Sequence, residues 1–278
     1  MNNPNKALIE DLLIVVVIYE LSIVDSKTWQ SLIKWLPSSA TIYIYDNSPA
    51  PQATPDTQHF VVYHHDSSNA GVSKAYNKAV VKATNKDKGW VLLLDQDTEL
   101  TKDFFSGCEE SISHYPDKSF FVPILKDNKG IVSPFLYAHG VGKKLNSVNP
   151  GLFSFDQHRA ANSGALIRTI VLTQVGGFDE KLPLDFSDIY LQEKLMRTQA
   201  QFVVINSTIN HNFSGSSFKN KRQILHRYKI FSTSCRTMSH LTGGNNFRRV
   251  SLKRAFNLSF RLLTIRFIII HFQVWSSR

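Results

Sequence analysis

Two carboxylates, Asp95 and Asp97, stand one residue apart around Gln96, directly after the apolar run Trp90-Val91-Leu92-Leu93-Leu94. At that spacing in a loop they can converge on one divalent cation. Hard cations such as Mg²⁺ bind carboxylate oxygen together with substrate phosphate. The same pattern also occurs as a plain polar turn, but the apolar strand before it favours a metal or nucleotide site. A second candidate is Asp46-Asn47-Ser48, after Thr41-Ile42-Tyr43-Ile44-Tyr45. It is either an Asx-type turn, since all three residue types favour turns, or an acid that meets a base or ribose. A third is Asn69-x-Gly71, with Asn77 eight residues beyond Asn69. It is either a helix N-terminus capped by Ser68 or Asn69, or a set of backbone N–H groups facing a ligand's polar edge. At i, i+3 spacing Asp185 and Asp188 could sit on one helix face, where acids also suit the positive end of the helix dipole. No G-x-G-x-x-G and no Walker motif is present, which disfavours a Rossmann dehydrogenase and a P-loop NTPase.

The elements that position these residues alternate. Leu12-Leu13-Ile14-Val15-Val16-Val17-Ile18-Tyr19 is continuously apolar, as in a strand buried on both faces. Trp29, Leu32, Ile33 and Leu36 then recur at helical spacing. Residues 41–45 and 60–63 read as strands, residues 72–84 as a helix and residues 90–94 as a fourth strand. Strands alternating with helices imply a mostly parallel sheet with helices on both faces. Ligands of such sheets sit at the C-terminal ends of the strands, where Glu20, Asp46 and Asp95-Gln96-Asp97 fall. Residues 118–175 hold shorter β-like pieces, expected as a mixed or antiparallel extension of the sheet. Residues 187–198 read as a helix and 201–205 as a strand.

At 278 residues and 42% hydrophobic content, the chain is long enough for a full core and is neither disordered nor low in complexity. Two cysteines, Cys108 and Cys235, exclude a disulfide scaffold and a multi-cysteine zinc site. The first eight residues lack the order of a signal peptide, and no apolar run has the length of a spanning helix, so a cytoplasmic setting is expected. The net charge of +10 hides a split. Residues 1–193 carry 17 Lys and Arg against all 22 acids, a net of −5, whereas residues 194–278 carry 15 bases and no acid. A basic appendage of this kind faces a polyanion, either a membrane surface or a nucleic acid, or is simply solvated. Acids clustered at 95–97 and 185–188 argue against a nucleic-acid partner.

Taken in order, several motifs resemble glycosyltransferase family 2. They are Tyr45-Asp46-Asn47-Ser48, Asn69-x-Gly71-x5-Asn77, Leu94-Asp95-Gln96-Asp97, Ser163-Gly164-x-Leu166-Ile167-Arg168 and Gly176-Gly177-Phe178-Asp179-Glu180, after the strand at Val15-Val16-Val17-Ile18-Tyr19. The D-Q-D form and Leu184-Asp185-Phe186-Ser187-Asp188-Ile189 resemble the bacterial rhamnosyltransferase branch. The likeness runs from Leu12 to Gly215. It implies a GT-A fold, a nucleotide-sugar donor and inversion at the anomeric carbon. By position it assigns donor binding to Asp46, Asn69, Gly71, Asn77, Asp95, Ser163 and Gly164, and Mg²⁺ or Mn²⁺ to Asp97. It makes His211 a further metal ligand, Asp188 the general base and Asp185 the alternative base. Ser187 stands where the family usually has an acid.

The expectation is therefore a GT-A-like α/β catalytic domain over residues 1–215 and a basic helical extension over 216–278. The implied enzyme moves a sugar, L-rhamnose from dTDP-L-rhamnose, to a lipid-linked surface-polysaccharide intermediate at the inner face of the cytoplasmic membrane. UDP-linked hexose or galactofuranose is the alternative donor, and a sugar-phosphate nucleotidyltransferase the alternative enzyme. The extension is expected to touch anionic membrane and to be separable from a soluble body, and self-association is possible.

Overall fold

The computed structural model describes residues 8–211, 220–244 and 246–276. The expectations for the first seven residues, for residues 212–215 and for the domain boundary at 215/216 lie outside the described residues. The first half runs β1 (Leu12–Ile18), α1 (Lys27–Trp35), β2 (Thr41–Asp46), β3 (Phe60–His65), α2 (Val72–Asn85), β4 (Trp90–Asp95), β5 (Thr98–Glu99) and α3 (Phe104–His114). Then follow β6 (Phe120–Asp127), β7 (Gly130–Ser133), β8 (Phe135–Ala138), β9 (Val141–Lys144), β10 (Gly151–Ser154), β11 (His158–Arg159) and β12 (Leu166–Arg168). The last elements are α4 (Thr169–Gln174), α5 (Ser187–Leu195), β13 (Gln201–His211), α6 (Lys221–Thr242), α7 (Asn246–Arg261) and α8 (Arg266–Ser276).

The main sheet has the order β10-β13-β6-β12-β4-β1-β2-β3, with β5 beside β13 and β7 beside β6. Strands β4, β1, β2 and β3 are parallel, β12 is antiparallel to β4 and β6, and β13 is parallel to β6. Every residue of β1 is buried, because both faces are covered. Leu12, Ile14, Val16 and Ile18 meet α1 and α3 through Trp29, Leu32, Phe104 and Cys108. Leu13, Val15 and Val17 face the other way, onto Ala75, Tyr76, Ala79 and Val80 of α2 and Leu191 of α5. That two-sided burial is why the run is continuously apolar rather than alternating. The expected mostly parallel sheet with helices on both faces is present.

Two features differ from expectation. Strands β8, β9 and β11 leave the main sheet and form a small three-stranded sheet of their own. The second difference is the C-terminal extension, which is not a free appendage. Tyr228, Phe231, Cys235, Met238, Phe247, Ala255 and Phe267 share one buried cluster with Leu182 and Ile189 of the body. Phe186 lies against Phe231 and Phe247, with ring centroids 5.6 and 5.4 Å away. A body cut away from α6–α8 would expose this surface, which weighs against the expected separable tail.

Candidate active site and metal centre

Strands β1, β2 and β4 end on one edge of the sheet, and the candidate residues gather there. Asp95 ends β4, and the turn through Gln96 and Asp97 leads at once into β5. Helix α1 holds this turn from below. Ser26 Oγ caps α1 by accepting from Trp29 N at 3.1 Å and donates to the Gln96 carbonyl at 2.9 Å. The Thr28 hydroxyl donates to the Asp95 carbonyl and accepts from Thr98 N at 3.0 Å. From above, Tyr19 N donates to Gln96 Oε1 at 2.7 Å. Ser163 Oγ accepts from Asp95 N at 3.1 Å and pairs with the Thr98 hydroxyl. Tyr76 OH donates to Asp95 Oδ1 at 3.0 Å.

Strand β13 completes the cluster. It pairs antiparallel with β5, which sets His211 opposite Thr98. His211 Nε2 lies 3.4 Å from Asp95 Oδ2 and 3.3 Å from Asp97 Oδ1. The ligand atoms of Asp95, Asp97 and His211 all lie within 4.8 Å of one another. His211 is buried, whereas Asp95 and Asp97 are partly exposed, so the cluster opens to solvent on the carboxylate side. Burial works against a charged His211 ring, but the hydrogen bond to Asp95 and the charges of Asp95 and Asp97 outweigh it and raise its pKa. Two carboxylate oxygens and one imidazole nitrogen, converging and open on one side, fit a hard or borderline divalent ion such as Mg²⁺ or Mn²⁺.

Asp188 lies in the first turn of α5, and its Oδ1 accepts from Ile189 N at 2.8 Å. Burial pushes its carboxyl up to about 6; the Ile189 N–H opposes this, and the charges of Asp185 and Asp95 add to it. Tyr76 stands among these acids: burial raises its phenol well above the usual value, and Asp95, Asp188 and Asp97 raise it further. Asp185 does not share the helix with Asp188 as expected: it lies before α5, separated from it by Phe186 in a left-handed conformation that interrupts the helical path. Both its oxygens are gripped by the Arg227 guanidinium of α6, Oδ1 at 2.6 Å. Ser187, at the position expected of an acid, is buried; it accepts from Asn162 Nδ2 at 3.2 Å and donates to the Leu184 carbonyl at 3.1 Å.

Other residues expected at the donor also make contacts within the protein. Asp46 is fully buried. Its Oδ1 accepts from Ser48 N at 2.9 Å, and its Oδ2 accepts from Tyr63 OH at 2.7 Å and Gln52 Nε2 at 3.0 Å. It forms an Asx-type turn and shapes the 46–52 loop. Asn77 clamps the 178–180 turn: Oδ1 accepts from Phe178 N at 2.8 Å, while Nδ2 donates to the Phe178 carbonyl and to Glu180. Gly71 and Gly164 act through the space they leave. Gly71 has φ +89°, and a Cβ there would sit 2.2 Å from the Pro183 carbonyl oxygen. At Gly164, φ +83°, it would sit 2.6 Å from Pro123. Asn69 is exposed at the mouth, in a left-handed conformation. Reading from sequence missed Thr28, Ser26, Tyr76 and Arg227. Only Tyr76 carried a signal, since a buried tyrosine hydroxyl needs a partner.

The family model for glycosyl transferase family 2 matches residues 26–169, from the helix that braces the metal turn to the first residue of α4. The chain belongs to glycosyl transferase family 2. Its fold is GT-A-like, and solved structures of similar fold are glycosyltransferases. S. aureus TarS aligns with a TM-score of 0.53 and 15% identity, over 82% of this chain and 39% of that one. The chain thus spans about two fifths of that relative's length. S. aureus TarS 1-349 in complex with UDP-GlcNAc aligns with a TM-score of 0.52 and 14% identity, over 81% and 66% of the two chains. Mannosyltransferase PcManGT from Pyrobaculum calidifontis, in complex with GDP-Man and Mn²⁺, aligns at 0.54 and 10%, over 83% and 64%. At these identities the likeness is one of fold. A comparison with curated proteins finds no match.

Proposed function

We propose that this family 2 member is an inverting glycosyltransferase that moves a sugar from a nucleotide-sugar donor to an acceptor hydroxyl. One observation carries the reading: Asp95, Asp97 and His211 converge at the C-terminal edge of the sheet, with Asp188 in the same acidic neighbourhood around Tyr76. Asp97, Asp95 and His211 would hold Mg²⁺ or Mn²⁺, which when bound supplies positive charge to the leaving diphosphate. Asp188 accepts the proton of the acceptor hydroxyl as that oxygen attacks the anomeric carbon from the face opposite the leaving group. A carboxyl near 6 is ionised at neutral pH and still basic enough to take that proton. Asp185, the alternative base, has both oxygens engaged by Arg227. Ser163 and Tyr76 orient Asp95, and exposed Asn69 stands at the donor's entrance.

For the donor we favour dTDP-L-rhamnose, on the rhamnosyltransferase-like Asp95-Gln96-Asp97 and Leu184–Ile189 segments. A UDP-linked sugar is the second reading, favoured by the UDP-GlcNAc held by TarS 1-349. The acceptor we propose is a lipid-linked surface-polysaccharide intermediate, with the enzyme peripheral on the inner face of the cytoplasmic membrane. The deciding experiment offers dTDP-, UDP- and GDP-sugars to the full chain with Mn²⁺, Mg²⁺ or chelator and reads nucleoside diphosphate release. Metal-dependent release from dTDP-L-rhamnose alone supports the first donor. Release from UDP-sugars alone supports the second. Release from none overturns the transferase reading.

A further inference from the structure

The three C-terminal helices treat their two ends differently. One part is buried against Leu182, Phe186 and Ile189. At the turn from α7 to α8, large apolar side chains stand in solvent: Phe260 is 86% exposed, Leu263 88% and Ile265 70%. Phe256, Ile269 and Phe272 are about half exposed around them. This knob is folded, since Thr264 N donates to the Ser259 carbonyl at 3.0 Å and Leu262 N to the Leu258 carbonyl at 3.0 Å. Exposed Arg261 and Arg266 flank it. Lys221 Nζ donates to the Leu262 carbonyl at 3.1 Å, which brings the first turn of α6, with exposed Arg222, against the same knob. A cluster of large apolar side chains this exposed marks a contact with another phase or molecule.

We propose that the α7–α8 turn docks the enzyme on an anionic bilayer. Phe260, Leu263 and Ile265 enter the acyl boundary, and Arg261, Arg266, Lys221 and Arg222 lie on the headgroups. This rests on the reading of a lipid-linked acceptor and names the surface that meets it. Charge selects lipid over a second copy of the chain. Two such knobs would set bases against bases, and residues 194–278 hold no acid to relieve them. Anionic headgroups relieve them directly. The contact is interfacial, because no described helix is long and apolar enough to cross a membrane.

Position gives the contact a use. Lys221, which touches the knob, and Arg227, which grips Asp185, lie six residues apart on α6, a rise of about 9 Å. The base that joins the knob and the base that holds the acid neighbouring Asp188 thus lie within about two turns of one helix. An acceptor whose lipid stays in the bilayer would present its sugar hydroxyl at that end of the molecule.

The test is flotation of the full chain with vesicles of phosphatidylglycerol and phosphatidylethanolamine, beside neutral phosphatidylcholine vesicles, at low and high salt. The expected result is binding to the anionic vesicles that weakens with salt. Phe260→Asp combined with Leu263→Asp should lower the partition coefficient at least about tenfold. Melting temperature and metal-dependent donor hydrolysis in solution should stay unchanged, since both side chains point into solvent. No flotation, equal flotation on neutral vesicles, or wild-type flotation of the double variant overturns the proposal. So does a wild-type dimer that the double variant turns into a monomer without altering vesicle binding. Failure of the transferase reading looks different: no donor turnover in solution, with vesicle binding intact.

Discussion

Replacing Asp188 by Asn should cost activity and gain stability in the same variant. In the folded chain the Asp188 carboxyl holds its proton up to about 6, against an ordinary value of 3.8. Between those values the folded state binds a proton that the unfolded state has released. Stability attached to this group is thus greatest in acid and falls as pH rises through about 6; above that the full cost of a buried carboxylate is present. A shift of roughly two units corresponds to about 3 kcal/mol. Asp188 is partly open to water, so screening reduces this to roughly 1–2 kcal/mol. Asn keeps the shape and keeps an oxygen for Ile189 N, but it carries no charge and takes no proton. At pH 7.5 Asp188→Asn should melt a few degrees above the wild type, and the gain should vanish near pH 4. Transfer should fall about 10²–10⁴-fold. The wild-type kcat/KM should rise with pH to a plateau, with its midpoint near 6, and the variant should lack that rise. Melting curves and initial rates across pH 4–8.5 check this. A variant that keeps most of its transfer activity, or that melts lower than the wild type at pH 7.5, refutes the assignment of Asp188 as a buried base.

Asp97→Ala should abolish metal-dependent nucleotide binding without unfolding the chain, and chelation should reproduce that loss in the wild type, both read by calorimetry. Tyr76→Phe removes the hydroxyl that orients Asp95 but keeps the ring packed 5.0 Å from Phe178, so metal affinity should fall about tenfold with little change in melting temperature. Arg227→Gln leaves Asp185 charged beside Asp188, which should move the midpoint of the kcat/KM profile to higher pH; an unmoved midpoint would separate the two acids electrostatically. Deleting residues 220–278 should give an aggregating body that fails to show a cooperative melt, because Leu182, Phe186 and Ile189 lose their cover.

What could be read from sequence followed from how completely an element is buried. β1 and β4 are covered on both faces, so their apolar runs are unbroken and their ends locate Glu20 and Asp95 without ambiguity. β9 is exposed along its whole length, and β8 is only half-buried on the helical extension, so neither has a period that marks it as a strand. Asp46 and Asn77 show a different limit. A polar side chain at a strand or helix end can turn outward to a ligand or inward to the chain. The partners that decide it, Tyr63 for Asp46 and Phe178 for Asn77, arrive from 17 and 101 residues away. Thr28 had no signal because its role depends on α1 lying under a turn that comes some 70 residues later.

The charge split between the two parts of the chain has an internal use as well as an external one. Arg227 spends its guanidinium on Asp185, and Arg254, lying over the Phe231 ring 4.1 Å from its centroid, also feels the Asp185 charge. Two bases of the helical extension thus face the acid-rich body. They fasten the helical extension beside α5, and Arg227 holds Asp185, just before that helix, as an ion pair next to Asp188. The bases at the first turn of α6 and at the α7–α8 turn face away from that contact. One run of positive charge therefore does two separable things: it fixes the electrostatics next to the candidate base, and it presents a cationic rim around an apolar knob. The same helix, α6, carries a residue of each kind, Arg227 for the first and Lys221 for the second. The extension is thus packed into the body rather than hung from it.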